Sequence, residues 1–156
     1  MRRGLVVAAC LMAAQVHAHP MPNSTVVVES APTGIIATVS IPLSELEVAL
    51  GAPVSLEGPG RAVLEAYVRA HITVTAPDGQ PWRTNQPKME ILDDNHPILS
   101  FSLSFAGPPG ARKPTLRYDA VNHRVASHYA LVYRRIGGRL VPLGRLQSPA
   151  TTLAIP

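Results

Sequence analysis

Histidine is the residue type with the clearest capacity for chemistry in this chain. His123 and His128 lie five residues apart in the segment VNHRVASH. A neutral imidazole binds transition-metal ions near neutral pH. Residues five apart on one unbroken strand point to opposite faces, so these two side chains can share a metal ion only if the chain bends between them. The alternative is that His123 ends a strand and His128 lies on a solvated face.

A third candidate ligand, His19, depends on processing of the chain. Two arginines and an apolar run from Leu5 to Ala14 precede the small-residue site Val16-His17-Ala18, which is the layout of a secretory signal peptide. We therefore predict a signal peptide at residues 1–18 and a periplasmic or secreted protein that begins at His19. Its terminal amine and imidazole, with the two histidines above, would offer four nitrogens, a set that suits copper or nickel.

A second ligand group combines the N-terminal histidine with Asp94 and His96, in the segment LDDNHPI. The Asp-x-His step is similar to the copper site of CopC-type periplasmic proteins, which implies a copper-binding role. The alternative is a polar turn, because Asp, Asn and Pro are common turn residues. His71 has apolar neighbours and is expected to be a hydrogen-bonded structural histidine.

Patterning predicts a mainly β fold, an immunoglobulin-like β-sandwich with one or two short inserted helices, formed as a single domain by residues 19–156. The predicted helices cover Pro42–Leu50 and Arg61–Ala70. The predicted strands cover 25–29, 34–41, 71–75, 88–92, 98–105, 115–121, 128–135 and 139–146. Turn residues predict hairpins at Ala31–Gly34 and Ile136–Gly138, and Pro142 indicates a sheet edge.

Composition narrows the classes of partner and cofactor. The only cysteine, Cys10, lies in the predicted signal peptide, so neither a disulfide nor a thiolate metal site is expected in the mature domain. Aromatic residues make up 4% of the chain and most arginines are scattered, which argues against nucleic-acid binding. After the signal peptide, no run approaches the ~20 apolar residues that span a bilayer.

Several short motifs in order resemble the extracytoplasmic N-terminal domain of HupE/UreJ-type membrane proteins. The matching segments are HPMPNS from His19, IPLSEL from Ile41, Tyr67 with His71-Ile72, GQPW from Gly79, PPG from Pro108, and YDAV from Tyr118 with His123, Val125, His128 and ALV from Ala130. That family is associated with hydrogenase and urease gene clusters. The resemblance implies a metal-related role for His19, His123 and His128. Members of that family continue into transmembrane helices, and because no such helix is predicted after the signal peptide here, we expect a membrane-protein partner.

These observations predict a metal-binding domain, for copper or nickel, that delivers or senses the ion, and they predict no enzymatic activity. One alternative is a non-metal module that docks on a membrane protein through the apolar Val26–Val28 segment, taken as a strand edge, and the Gly107–Pro114 loop. Another follows from a resemblance of the N-terminal histidine to the histidine brace of lytic polysaccharide monooxygenases. That reading implies a copper oxidase.

Overall fold

The fold is mainly β, as the sequence predicts, with two short helices. A computed structural model describes residues 23–93, 95–108 and 110–156. The predicted signal peptide, His19 and Asp94 lie outside the described residues. The strands are β1 Ser24–Ala31, β2 Gly34–Pro42, β3 Ile72–Thr75, β4 Arg83–Thr84, β5 Lys88–Ile91, β6 Ile98–Ala106, β7 Thr115–Tyr118, β8 Ala130–Ile136, β9 Arg139–Leu146 and β10 Thr152–Ala154. The helices are α1 Leu43–Leu50 and α2 Gly58–His71.

The larger sheet has the strand order β4-β6-β2-β1-β8-β9, with β5 also paired to β6. Its pairs are antiparallel except β1 with β8, which run parallel. β1 is bonded to strands on both sides, so the segment has no free edge, and Val26 and Val28 point into the core and are fully buried. The expectation that Val26–Val28 forms an exposed docking edge is therefore wrong. β9 ends the strand order, so the edge position predicted from Pro142 is confirmed.

The smaller sheet, in the order β10-β7-β3, carries the polar residues of interest at one end. β3 follows directly on α2, and Ile72 pairs with Tyr118 at the end of β7. Inward side chains from both sheets and both helices form one apolar cluster, which includes Val39, Leu64 and Phe101. Within the described residues, no helix is long and apolar enough to cross a membrane.

Both hairpin turns predicted from the sequence are present in the structure. Ala31 pairs with Gly34, which confirms the first hairpin, and Ile136 pairs with Arg139 across Gly137-Gly138. Both of these glycines have positive φ, as the type I′ turn of a two-residue hairpin requires. These turns set the register of the large sheet.

The segment between β7 and β8 differs from the prediction. The predicted strand Thr115–Val121 ends at Tyr118, and β8 begins at Ala130 rather than His128. Val121 takes φ 65°, a left-handed conformation that is rare for a β-branched residue, and it turns the chain out of the sheet. Both His123 and His128 therefore lie in this connection and not on one strand. Two short strands, β4 and β10, had no clear sequence signal.

The close approach of two strands at Gly34 gives a test of the sheet register. A Cβ added there would lie 1.9 Å from the backbone oxygen of Phe105. We predict that Gly34→Ala lowers the free energy of unfolding by about 1–3 kcal/mol, because backbone must shift to relieve the overlap. Urea denaturation measures this change.

Gly144→Ala is the matched control, because its Cβ would meet only the side chain of Leu153, at 3.3 Å. Equal and small effects of Gly34→Ala and Gly144→Ala on the free energy of unfolding would contradict the described pairing of β2 with β6 at Gly34.

Candidate metal centre

The first component of the candidate site is a cluster of polar contacts on Asp119, the residue that follows β7. The Nδ1 atom of His71 lies 3.0 Å from Asp119 Oδ1, and the guanidinium of Arg117 contacts Asp119 Oδ2. The backbone N–H of Asp119 also donates to the carbonyl of His71, at 3.1 Å. These bonds tie the end of α2 to the end of β7. They also fix the orientation of the His71 ring.

The second component is His123, which the turn after β7 returns towards the same aspartate. Its Nδ1 atom lies 3.0 Å from the backbone oxygen of Asp119. The left-handed Val121 makes this return possible, and the Tyr67 hydroxyl accepts the Val121 N–H at 2.8 Å. Left-handed conformations of non-glycine residues are costly and persist where the surroundings hold them. The tyrosine of α2 thus stabilises the turn that presents His123.

The two imidazole rings stack on each other. Their centroids lie 4.4 Å apart with an interplanar angle of 10°, and Tyr67 packs at 4.4 Å from the His71 ring. A carbonyl oxygen can only accept, so Nδ1 of His123 must carry the proton. An ionised carboxylate likewise accepts from Nδ1 of His71. In each neutral ring this leaves Nε2 with a free lone pair, which is the form that binds metal ions.

Both rings are reachable from solvent. The His71 side chain is 26% exposed and His123 is exposed. Neither Nε2 atom makes a hydrogen bond to a described residue. Within the part of the chain that the structure describes, no group of three or more His, Cys, Asp or Glu side chains is placed to hold a metal ion. The described residues therefore offer two candidate ligand atoms, the Nε2 atoms of His71 and His123.

His128 occupies a different environment, because it is fully buried. Its Nε2 atom lies 2.9 Å from Ser24 Oγ, and the Tyr118 hydroxyl donates to the same Ser24 Oγ at 2.7 Å. On the other side of the ring, Nδ1 lies 3.3 Å from Glu45 Oε2. Both ring nitrogens therefore face protein side chains. This position favours a structural role for His128 over the ligand role predicted for it.

The buried network joins four elements. Ser24 begins β1, Glu45 lies in α1, Tyr118 ends β7 and His128 precedes β8. In the assignment that fits these contacts, Tyr118 donates to Ser24, Ser24 donates to Nε2 of His128, and the Nδ1 proton faces Glu45. The last contact lacks hydrogen-bond geometry, and neither atom has another partner among the described residues. The network holds the start of β1 against both sheets.

A serine, a histidine and a carboxylate in this order resemble the constellation of serine hydrolases. Ser24 has no exposed surface, and its oxygen already accepts a proton from Tyr118. A substrate has no path to this oxygen in the described conformation. The arrangement therefore acts as internal packing.

Burial shifts the titration of the network. Desolvation lowers the pKa of His128 to about 4 and raises the pKa of Glu45 above its ordinary value. It also raises the pKa of Tyr118, which stays protonated. His128 is therefore neutral at pH 7 in the folded protein.

His96, the remaining predicted ligand among the described residues, has no contact that joins it to this site. His96 is exposed in the turn between β5 and β6, where its backbone N–H donates to Asp93 Oδ1 at 3.2 Å. This contact is typical of the polar turn considered as the alternative. Its proposed partners Asp94 and His19 lie outside the described residues.

Sequence reasoning took His71 for a structural histidine and overlooked its partner. His71 and Asp119 are separated by 48 positions, and only the pairing of β3 with β7 brings them together. A weak signal for a contact between Tyr67 and His71 was present, because the two residues are four apart and share one helix face.

No protein-family model matches this chain, and no curated protein is significantly similar to it.

The buried histidine predicts a loss of stability at acid pH. The unfolded chain takes up a proton on His128 near pH 6.5, whereas the folded protein does so only near pH 4. The contribution of His128 to the free energy of unfolding is therefore lost as the pH falls from about 6.5 to about 4. Between about pH 7 and about pH 5, we expect His128 to account for up to about 2 kcal/mol of lost unfolding free energy.

Urea denaturation of the parent protein and of His128→Gln at both pH values isolates this contribution, because Glu45 titrates in both proteins. His96→Gln is the control and should retain the full loss. An equal loss in the parent protein and His128→Gln would show that His128 is not buried in a neutral form.

Proposed function

We propose that this protein is an extracytoplasmic domain that binds a divalent transition-metal ion, copper or nickel, through Nε2 of His71 and Nε2 of His123. One observation carries the proposal: a single residue, Asp119, accepts a hydrogen bond from Nδ1 of both rings. Metal-binding histidines commonly donate their second nitrogen to a carboxylate or carbonyl oxygen, which fixes the tautomer and raises the basicity of the ligand. This proposal replaces His128 by His71 in the ligand set.

The N-terminal histidine completes the proposed site. Ser24 contacts Tyr118, the neighbour of Asp119, so the described chain begins beside the cluster. His19 lies five positions before Ser24, and an extended chain of that length spans at most about 17 Å. If cleavage follows Ala18, the amine and imidazole of His19 are the further ligands that this proposal adds to the histidine pair. Four nitrogen ligands suit the tetragonal geometry of Cu(II) or Ni(II).

The role proposed for such a site is to deliver or sense the metal ion near a membrane-protein partner. A site partly formed by the chain terminus is suited to exchange, because one ligand can leave before the others. We also propose that the two sheets form an immunoglobulin-like β-sandwich. The resemblance to HupE/UreJ-type domains supports the proposed metal-related role.

Calorimetric titration of the processed protein with Cu(II) and with Ni(II) tests the site. We predict a one-to-one complex whose affinity falls at least about tenfold in His71→Ala and in His123→Ala, because each change removes a ligand. His96→Ala, an exposed histidine in another turn, should bind like the parent protein.

A variant with one extra residue before His19 separates the two parts of the proposal. It should bind more weakly if the terminal amine is a ligand, and equal affinity would remove the N-terminus from the site. Unchanged binding in His71→Ala would contradict the histidine pair. Loss of binding in a folded His128→Gln protein would restore His128 to the ligand set.

A second candidate function is a non-metal docking module, and one observation favours it. The Gly107–Pro114 loop, apart from residue 109, lines a cleft of about 680 Å³ together with Trp82, Pro32 and Arg134. Proline and tryptophan side chains of this kind suit an extended partner segment. A membrane-protein partner whose capture persists in excess chelator, and is lost in Trp82→Ala, would favour docking over metal binding.

A further inference from the structure

The outer half of the β8–β9 hairpin projects from the body of the protein. All residues from Arg135 to Pro142 are exposed, on both faces of the two-stranded ribbon. Three of them are aliphatic, and the exposed fractions are 54% for Ile136, 48% for Leu140 and 40% for Val141. Large aliphatic side chains clustered at the end of a projecting hairpin indicate a contact surface.

In this hairpin, arginine residues pair with aliphatic residues across the two strands. Ile136 pairs with Arg139, Leu140 with Arg135, and Val141 with Arg134. Each aliphatic side chain thus has an arginine directly opposite it, on the same face of the ribbon. Arg134, Arg135, Ile136, Arg139, Leu140 and Val141 are called the hairpin tip below.

The charge of the surrounding chain is strongly asymmetric. Residues 120–156 contain five arginines and no acidic residue, whereas residues 19–119 contain seven basic and ten acidic residues. Within the hairpin tip, Arg135 pairs with the exposed Glu29 and Arg134 contacts the carbonyl of Pro156. Arg139 makes no hydrogen bond or ion pair to a described residue. The tip therefore presents net positive charge.

We propose that the hairpin tip docks this protein on the surface of an anionic phospholipid bilayer. Arginine guanidinium groups pair with lipid phosphates, and the aliphatic side chains enter the boundary between headgroups and acyl chains. Basic residues alternating with aliphatic ones fit this boundary, because long arginine side chains keep their charge at the headgroups. A single-stranded nucleic acid would favour aromatic stacking residues, and the tip contains none.

Co-sedimentation with vesicles tests the proposal independently of the metal site. The full processed protein should bind vesicles that contain about 30% phosphatidylglycerol, bind weakly to phosphatidylcholine alone, and dissociate as salt rises. Arg139→Glu should lower the partition coefficient at least about tenfold, and Ile136→Ser with Leu140→Ser should have a comparable effect. Circular dichroism checks that the variants fold.

Two matched controls lie near β5, at the other end of the large sheet from β9. Lys88→Glu reverses an exposed charge on β5, and Leu92→Ser removes a leucine that is 58% exposed. Both should bind vesicles like the parent protein. The proposal is overturned if no binding occurs, if Arg139→Glu and Lys88→Glu act alike, or if the tip binds soluble polyglutamate but not vesicles.

Discussion

The hydrogen bonds that Asp119 accepts are the constraint on which the candidate site depends. Its carboxylate accepts from His71 and its backbone oxygen from His123, so one residue orients two side chains from different parts of the chain. The bonds are possible because β7 ends at Tyr118 and the chain then turns through Val121. Without that turn, His123 would continue along a strand, away from the end of α2. The geometry of the pair therefore follows from where β7 stops.

Tyr118 and Asp119 are neighbours in the chain, but one makes buried polar contacts and the other makes polar contacts near the surface. Tyr118 points inward and joins the buried network of Ser24, His128 and Glu45, while Asp119 faces the more exposed histidines. Burial keeps His128 neutral, and both of its ring nitrogens face protein side chains. The outer histidines keep Nε2 available. Tyr118 thus contacts the network of His128, a histidine suited to internal packing. Its neighbour Asp119 orients two histidines whose positions suit metal binding.

Much of the fold follows from local patterns in the sequence, whereas the site depends on long-range pairing. Alternating β-branched residues and glycine turns predict β1, β2, β6 and the β8–β9 hairpin within one or two residues. The strand end at Tyr118 was missed because the left-handed Val121 has no signature in residue type. The partner of His71 has no local signal for a related reason, since this carboxylate is 48 positions away. His123 was recognised as a candidate, but its ring partner was not.

The tautomers of His71 and His123 test the central claim most directly. Long-range proton–nitrogen NMR spectra of the metal-free protein at about pH 8 distinguish imidazoles protonated at Nδ1 from those protonated at Nε2. The account predicts that both rings carry the proton at Nδ1, and that both Nε2 signals shift when a diamagnetic ion such as Zn(II) is added. Protonation of either ring at Nε2 in the metal-free protein would contradict it, because that lone pair would no longer be free to bind a metal ion.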